Sequence, residues 1–260
     1  PTSNDLPKRK RITLYHLQEH HRFLKLRKRR MYLNKLRLSI VIPTYNEKNN
    51  VSKISEKVRV ALNNISYEII FVDDNSPDGT SKEVEILIKT SSKIRLVHRI
   101  GRRGLAGAII EGIFAANSEL VAVMDCDLQH DETKLLDMLD LFNSNTSLDV
   151  VVGSRFTDTG EISDKAFSKI RELGSKITTL IIKKILNIKS TDPLSGFFMI
   201  KKETFLKSSD NLQTQGFKIL ADFLATAGKN IEIKEIGYKF QSRVSGESKM
   251  SFLTVLELIG

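Results

Sequence analysis

The stretch from Glu119 to Glu132, ELVAVMDCDLQHDE, constrains this chain more than any other. Four apolar residues, Val121, Ala122, Val123 and Met124, run directly into Asp125-Cys126-Asp127, and Gln129, His130 and Asp131 follow at once. An unbroken apolar run that ends in carboxylates predicts a buried parallel strand whose C-terminal end opens into the crevice where open α/β sheets take ligands. Two aspartates one residue apart repel each other unless a positive charge lies between them. Hard cations such as Mg²⁺ or Mn²⁺ accept one or two carboxylates together with substrate phosphates. Asp125 and Asp127 are therefore expected to grip a metal diphosphate, with the amide oxygen of Gln129 as a third ligand. The competing use of such acids is a helix cap, since Asp131, Glu132 and Thr133 precede an apolar periodic stretch. Capping accounts for Asp131 and leaves the pair that ends the strand unexplained.

A chain of 260 residues, 40% of them hydrophobic, can bury a full core around such a strand. The lone cysteine, Cys126, allows no intrachain disulfide, and a reducing, cytoplasm-facing setting is the default. No run reaches the roughly 18 to 20 apolar residues of a membrane span, and the basic, polar start is not a secretory signal. The first 37 residues hold 12 Lys or Arg against Asp5 and Glu19, so the whole formal charge of +10 resides there and the remainder is balanced. This basic extension, with KRKR at Lys8 to Arg11 and RKRR at Arg27 to Arg30, can lie on an anionic leaflet. Leu14, Leu17, His21, Leu24 and Met31 lend it a weak apolar stripe. A solvated or nucleic-acid-binding tail is the plainer alternative for such a charge run.

Strands and helices alternate through the rest. Leu38 to Pro43 reads as a first strand, followed by Thr44-Tyr45-Asn46-Glu47 and a helical stretch from Asn50 to Leu62. Tyr45 can stack on a base and Glu47 accept from its ring hydrogens; equally, Tyr45 can be core and Glu47 a first-turn acid. Tyr67 to Val72 is a second strand ending on Asp73 and Asp74, whose carboxylates can take a base or a ribose hydroxyl. Ser76-Pro77-Asp78-Gly79 reads as a tight turn into a helix over Thr80 to Lys89. After a third strand at Lys93 to Val97, Gly104, Gly107 and Gly112 suit close packing of a helix that runs to Ala116. Arg99, Arg102 and Arg103 beside them serve either solvent or phosphate.

Leu148 to Gly153 is the next buried strand, and Arg155 at its end would face the same crevice, where its planar fork suits phosphate. A long helix is expected from Lys165 to Asn187, with Arg171 near its start, and an amphipathic one from Gln215 to Gly228. Ile231 to Phe240 alternates as an edge strand does. Arg243 to Lys249, RVSGESK, suits a cationic loop closing on phosphates, although exposed basic loops commonly do nothing of the kind.

Taken together, seven pieces resemble family 2 glycosyltransferases of the GT-A fold, and within them the polyprenyl-phosphate sugar synthases of the dolichol-phosphate mannose synthase type. They are VIPTYNE (Val41 to Glu47), VDDNSPDGT (Val72 to Thr80), GLAGA (Gly104 to Ala108), MDCDLQH (Met124 to His130), GSRF (Gly153 to Phe156), DPLSGFF (Asp192 to Phe198) and RVSGESK. The resemblance covers Leu38 to Met250 and leaves out the basic extension of residues 1–37. It implies an α/β, Rossmann-like, mostly parallel sheet flanked by helices over residues 38–250. Residues 251–260 would begin an amphipathic or membrane-associated segment.

Carried over by position, the resemblance assigns Pro43, Tyr45 and Glu47 to the nucleobase, with Phe71 and Asp73 beside them. Asp125, Cys126 and Asp127 would contact the sugar nucleotide, and Asp125, Asp127 and Gln129 would bind Mg²⁺ or Mn²⁺. Arg155, Arg243 and Lys249 would meet the phosphates, and Arg171 the acceptor phosphate; Asp127, Arg155 and Lys249 are the expected catalytic residues. Cys126 departs from the commoner alanine, and Ser195-Gly196 is one of several variants. The implied reaction is inverting transfer of mannose from GDP-mannose to dolichyl or another polyprenyl phosphate at a cytoplasm-facing membrane surface, for protein glycosylation. A membrane-anchoring subunit is a possible further partner; nucleic acid is not an expected one. The rivals are glucose transfer from UDP-glucose, transfer to a soluble glycan, and a catalytically silent binding protein.

Overall fold

The computed structural model describes residues 37–157, 160–162, 189–212 and 219–242. The basic extension before Arg37, the expected helix over 165–187 with Arg171, the Arg243–Lys249 loop and residues 251–260 lie outside the described residues.

β1 (Leu38–Thr44) and β2 (Tyr67–Asp73) are buried along their whole length. Alternate residues of β1 serve two cores: Leu38, Ile40 and Ile42 join one cluster and Val41 the other. A strand buried on both faces reads as a continuous apolar run, which is why the sequence shows no polar alternation there. β3 (Ile94–His98), β4 (Leu120–Val123), β5 (Val150–Ser154), β7 (Phe198–Lys201) and β8 (Ile233–Gly237) complete a seven-stranded sheet ordered β3-β2-β1-β4-β7-β5-β8. β7 pairs antiparallel with both β4 and β5, and the other pairings are parallel. A short second sheet pairs β6 (Glu161–Ile162) with β9 (Lys239–Phe240).

Helices cover both faces. α1 (Lys48–Ala61) buries Val51, Ile54 and Val58, and α4 (Lys134–Ser144) buries Leu135, Met138, Leu139 and Phe142, the spacing of one helix face. Both pack into the cluster with Ile40 and Phe71. α3 (Leu105–Ala115) lies in the other cluster with Val41, Val72 and Val123. Its Gly112 sits so close to the sheet that a Cβ there would meet Val41 Cγ1 at 2.3 Å. That is the close helix–sheet approach the glycines predict. α2 (Thr80–Thr90), α5 (Lys202–Ser208) and α6 (Ile219–Ala227) complete the α-helices among the described residues.

The sequence reading assigns no element to Phe198–Ile200 and a single edge strand to Ile231–Phe240, and the structure departs from it at both. The run Phe198 to Ile200 is a central strand running against its neighbours, inserted between β4 and β5. Ile231 to Phe240 is not one strand: β8 forms the sheet edge, and the chain breaks at the fully buried Tyr238 before β9. Direction and insertion depend on which partners a fully apolar segment finds in space, and its composition is the same either way.

Candidate active site

The strand order fixes where a ligand goes. From β1 the chain moves outward to β2 and β3, then returns to place β4 on the other side of β1. The loops after β1 and β4 therefore diverge from adjacent C-terminal ends, the crevice where doubly wound sheets bind ligands. Val41 pairs with Val123, so Asp125 emerges level with Pro43.

On the β1 side, Pro43 is buried in its strand, and Tyr45 and Glu47 are half-buried in the loop. Three successive amides of that loop bond to side chains after β2: Asn46 N to Ser76 Oγ at 3.0 Å, Glu47 N to Thr80 Oγ1 at 3.0 Å and Lys48 N to Asp78 Oδ2 at 3.1 Å. Burial opposes the charge on Asp78, but Thr80 and the Lys48 amide outweigh it and hold its pKa below the ordinary value. Glu47 is the N-cap residue of α1, and its Oε2 accepts from Asn50 Nδ2 at 2.7 Å. The Arg103 guanidinium lies 5.2 Å from the centre of the Tyr45 ring.

Neither expected residue of β2 faces the crevice as a bare group. Phe71 is a core residue, fully buried. Asp73 is also fully buried, and its Oδ1 accepts from Thr44 Oγ1 (3.0 Å) and Ser76 Oγ (2.6 Å), its Oδ2 from Ser76 N (2.9 Å) and Ser81 Oγ (2.6 Å). Asp74 accepts from Arg99 and from Gly104 N (2.7 Å), while Arg99 Nε reaches Glu111 at 3.1 Å. Arg99, undecided in the sequence between solvent and phosphate, is thus an internal cation that ties the turn before α3 to the end of β2.

On the β4 side, Asp125 is the open member, with 38% of its side chain exposed, while Asp127 and Gln129 are buried. Leu128 takes a left-handed backbone (φ 65), and the Gln129 amide returns to Asp127 Oδ1 at 3.1 Å. Gln129 also exchanges two bonds with Gln241: its Nε2 donates to Gln241 O (2.8 Å) and its carbonyl accepts Gln241 N (2.9 Å). Gln241 is thereby fastened to this turn. Cys126 points into the core as a small apolar side chain.

Arg155 leaves β5 and spends two guanidinium nitrogens on the fully buried Asp192, Nε and Nη2 each at 2.8 Å. Burial opposes its charge, and the Asp192 fork with nearby Asp125 more than restores it, raising its pKa. Sequence reasoning missed Asp192 as a partner, and it missed His130 and Tyr238. His130 lies between Asp125 and Tyr238, bonded to both. Nothing in its spacing distinguished it from an ordinary buried histidine.

Two carboxylates and an amide oxygen are the hard oxygen donors that Mg²⁺ or Mn²⁺ prefers, so the Asp125–Gln129 turn fits such an ion chemically. Among the described residues, no three His, Cys, Asp or Glu side chains converge to hold a metal. An ion here would complete its shell from Gln129 and substrate phosphates. Among the same residues, no helix is long and apolar enough to cross a membrane.

The chain is similar to proteins called dolichol-phosphate mannosyltransferase. The one from Pyrococcus furiosus is 34% identical over 86% of this chain, which spans 62% of that relative's length. The one from Saccharomyces cerevisiae is 30% identical over 85% of this chain and 84% of the relative. Among solved structures, the mannosyltransferase of Pyrobaculum calidifontis in complex with GDP-Man and Mn²⁺ superposes with a TM-score of 0.56 at 17% identity, over 80% of this chain and 57% of that one. Glucosyl-3-phosphoglycerate synthase of Mycobacterium tuberculosis, with Mn²⁺, UDP and phosphoglyceric acid, gives 0.62 at 15% identity, over 82% and 72%. These likenesses carry the fold, which is GT-A. The profile described as Glycosyl transferase family 2 matches residues 39–207. That match takes in both crevice loops, the Asp125–Gln129 turn and the antiparallel β7, and the chain belongs to glycosyl transferase family 2.

Proposed function

We propose that the protein transfers mannose from GDP-mannose to dolichyl or a related polyprenyl phosphate, with inversion at the anomeric carbon. The observation that carries this reading is the Asp125–Gln129 turn, oxygen-rich and set where the strand order reverses. The named relatives favour the particular sugar and acceptor. Pro43, Tyr45 and Glu47 form the wall for the base, with Phe71 in the core of β2, and Asp73 shapes that wall through Ser76, whose hydroxyl donates to Asp73 and accepts from the Asn46 amide. Asp125, Asp127 and Gln129 would hold Mg²⁺ or Mn²⁺, which when bound neutralises charge on the departing nucleoside diphosphate.

Arg155 keeps its charge through Asp192 and supplies a fixed positive potential next to Asp125. Arg171, Arg243 and Lys249 are assigned to the acceptor and donor phosphates. The acceptor is a phosphate anion at neutral pH, so no residue need remove a proton from it, and rate comes from alignment and electrostatics. The basic residues 1–37 hold the protein on the anionic cytoplasmic leaflet, with or without an anchoring subunit. Vesicle sedimentation with and without that extension checks this, and equal binding removes the extension's role.

A donor panel with dolichyl phosphate, with and without EDTA, tests the reaction. Chelator-sensitive mannosyl transfer from GDP-mannose is expected. Preference for UDP-glucose, equal transfer to water-soluble hydroxyls, or no turnover with any donor overturns it.

A further inference from the structure

The Asp125 carboxylate is fixed from behind by residues that have no part in the reaction as described. His130 Nε2 stands 3.2 Å from Asp125 Oδ2, and His130 Nδ1 stands 2.9 Å from Tyr238 Oη. An ionised carboxylate can only accept, so Nε2 carries the proton, and in the neutral ring Nδ1 then accepts the Tyr238 hydroxyl. Burial pushes the Tyr238 pKa up, which keeps the phenol protonated as a donor.

The ring of His130 has little freedom to turn. It is buried, with Phe197, Tyr238 and Phe240 rings centred 5.2, 5.6 and 5.8 Å away. The carboxylate is confined from another side as well, since a Cβ on Gly196 would sit 2.8 Å from Asp125 Oδ2. Tyr238 lies between β8 and β9, beyond the residues 39–207 that match the family profile.

We propose that Tyr238 and His130 are positioning residues: a hydrogen-bonded chain, Tyr238 to His130 to Asp125, that holds the Asp125 carboxylate oriented for a divalent cation and its nucleoside diphosphate. The proposal rests on reading Asp125 as a ligand of that pair. Imidazole needs a partner on its second nitrogen to fix which nitrogen donates, and Tyr238 supplies one. Loss of such a partner behind a metal-binding group commonly costs about 10- to 100-fold in metal affinity.

The test titrates Mn²⁺ into the full chain in the presence of GDP, for wild type, His130→Phe, His130→Gln and Tyr238→Phe, with thermal unfolding alongside. His130→Phe removes the donor and keeps the ring volume; it should weaken Mn²⁺ by about 10- to 100-fold. Glutamine places an amide N–H near the Nε2 position, so His130→Gln should recover most of that affinity. Tyr238→Phe removes one oxygen and should weaken Mn²⁺ by less than His130→Phe, with a nearly unchanged melting temperature. In the metal-free chain, Tyr238→Phe should also shift the imidazole nitrogen resonances of His130 away from the Nε2–H tautomer, a readout independent of turnover.

Wild-type Mn²⁺ affinity in both His130→Phe and Tyr238→Phe, with only lowered melting temperatures, overturns the proposal and leaves the chain as core packing. His130→Gln as weak as His130→Phe overturns it too. If Mn²⁺ does not strengthen GDP binding in wild type, the ligand reading fails and takes the positioning chain with it, an outcome distinct from the other two.

Discussion

Strand β2 ends on Asp73 and Asp74, and β4 runs out into Asp125 and Asp127; in the sequence the two endings look alike. In the structure they differ in what surrounds the carboxylates. Asp73 and Asp74 accept from Thr44, Ser76, Ser81, Arg99 and Gly104, groups at the end of β1, in the turn into α2 and its first residues, and in the segment before α3. Asp125 has 38% of its side chain in solvent and is braced from behind by His130. An acid at the end of a parallel strand is therefore a stronger ligand candidate where neighbouring donors do not enclose both of its oxygens, as at Asp125. At β2 the short hydroxyl side chains of Thr44, Ser76 and Ser81 surround the carboxylate. At β4 the chain turns through the left-handed Leu128 so that the Gln129 amide meets Asp127, and Asp125 keeps its open face.

Substitution separates the two endings most sharply at Asp127. Asp127→Asn should lower turnover of GDP-mannose with dolichyl phosphate by at least about 10²-fold while the melting temperature stays near wild type. Steady-state rates beside thermal unfolding check it, and a large stability loss with residual full activity would erase the difference between the pairs. The reverse is expected of Arg99→Leu, which leaves Asp74 buried without its cation; losing one partner of a buried pair costs about 3–5 kcal/mol, readable by urea unfolding. Asp73→Asn is milder. Its amide NH2 faces either the Ser76 backbone N–H and Ser81 hydroxyl on the Oδ2 side or the Thr44 and Ser76 hydroxyls on the Oδ1 side, so present donors must reverse or go unmet; this should cost about 1–3 kcal/mol in the same measurement, with Mn²⁺-dependent nucleotide binding retained. Loss of that binding at wild-type stability would show Asp73 to be a ligand group after all.

Much of this arrangement was legible in the sequence because the signals were local. The apolar runs gave β1, β2, β4 and β5, the 3–4 spacing gave α1 and α4, and acids after apolar runs marked both loops. Family order then placed the Asp125–Gln129 turn. Illegible were the contacts that join distant segments: Arg155 with Asp192, Gln129 with Gln241, and His130 with Tyr238. Each side of those pairs has an ordinary local reading, and only the fold shows that they meet. The antiparallel course of β7 escaped for a similar reason, since Phe198, Met199 and Ile200 are apolar on both faces and carry no mark of direction.

The smallest effect is expected at the far end of β2, where the same strand carries a third acid. Glu68 stands away from the crevice, buried, with bonds from Ser39 Oγ (2.7 Å), the Asn117 amide (2.7 Å) and Arg95 Nη1 (2.8 Å). Burial pushes its pKa up, and these three donors together outweigh it, holding the carboxyl below its ordinary value of 4.5. A carboxylate held low in the folded state contributes stability above its unfolded pKa and loses that contribution as pH falls through its folded value. Glutamine at this position can keep the Ser39 hydroxyl and the Asn117 backbone amide on its oxygen, but its NH2 then faces Arg95 Nη1 and Asn117 Nδ2, so those two bonds go with the charge; Arg95, 41% exposed and screened, can turn to solvent. Glu68→Gln should then cost about 1 kcal/mol at neutral pH, and the gap to wild type should close as the solution is acidified below 4.5. Urea unfolding of both proteins at a series of pH values reads the gap directly. A gap that stays constant through the acid range would mean that shape rather than charge holds this end of β2. The contrast along the strand would then lie between a polar network that needs ions, at Asp74, and one that does not.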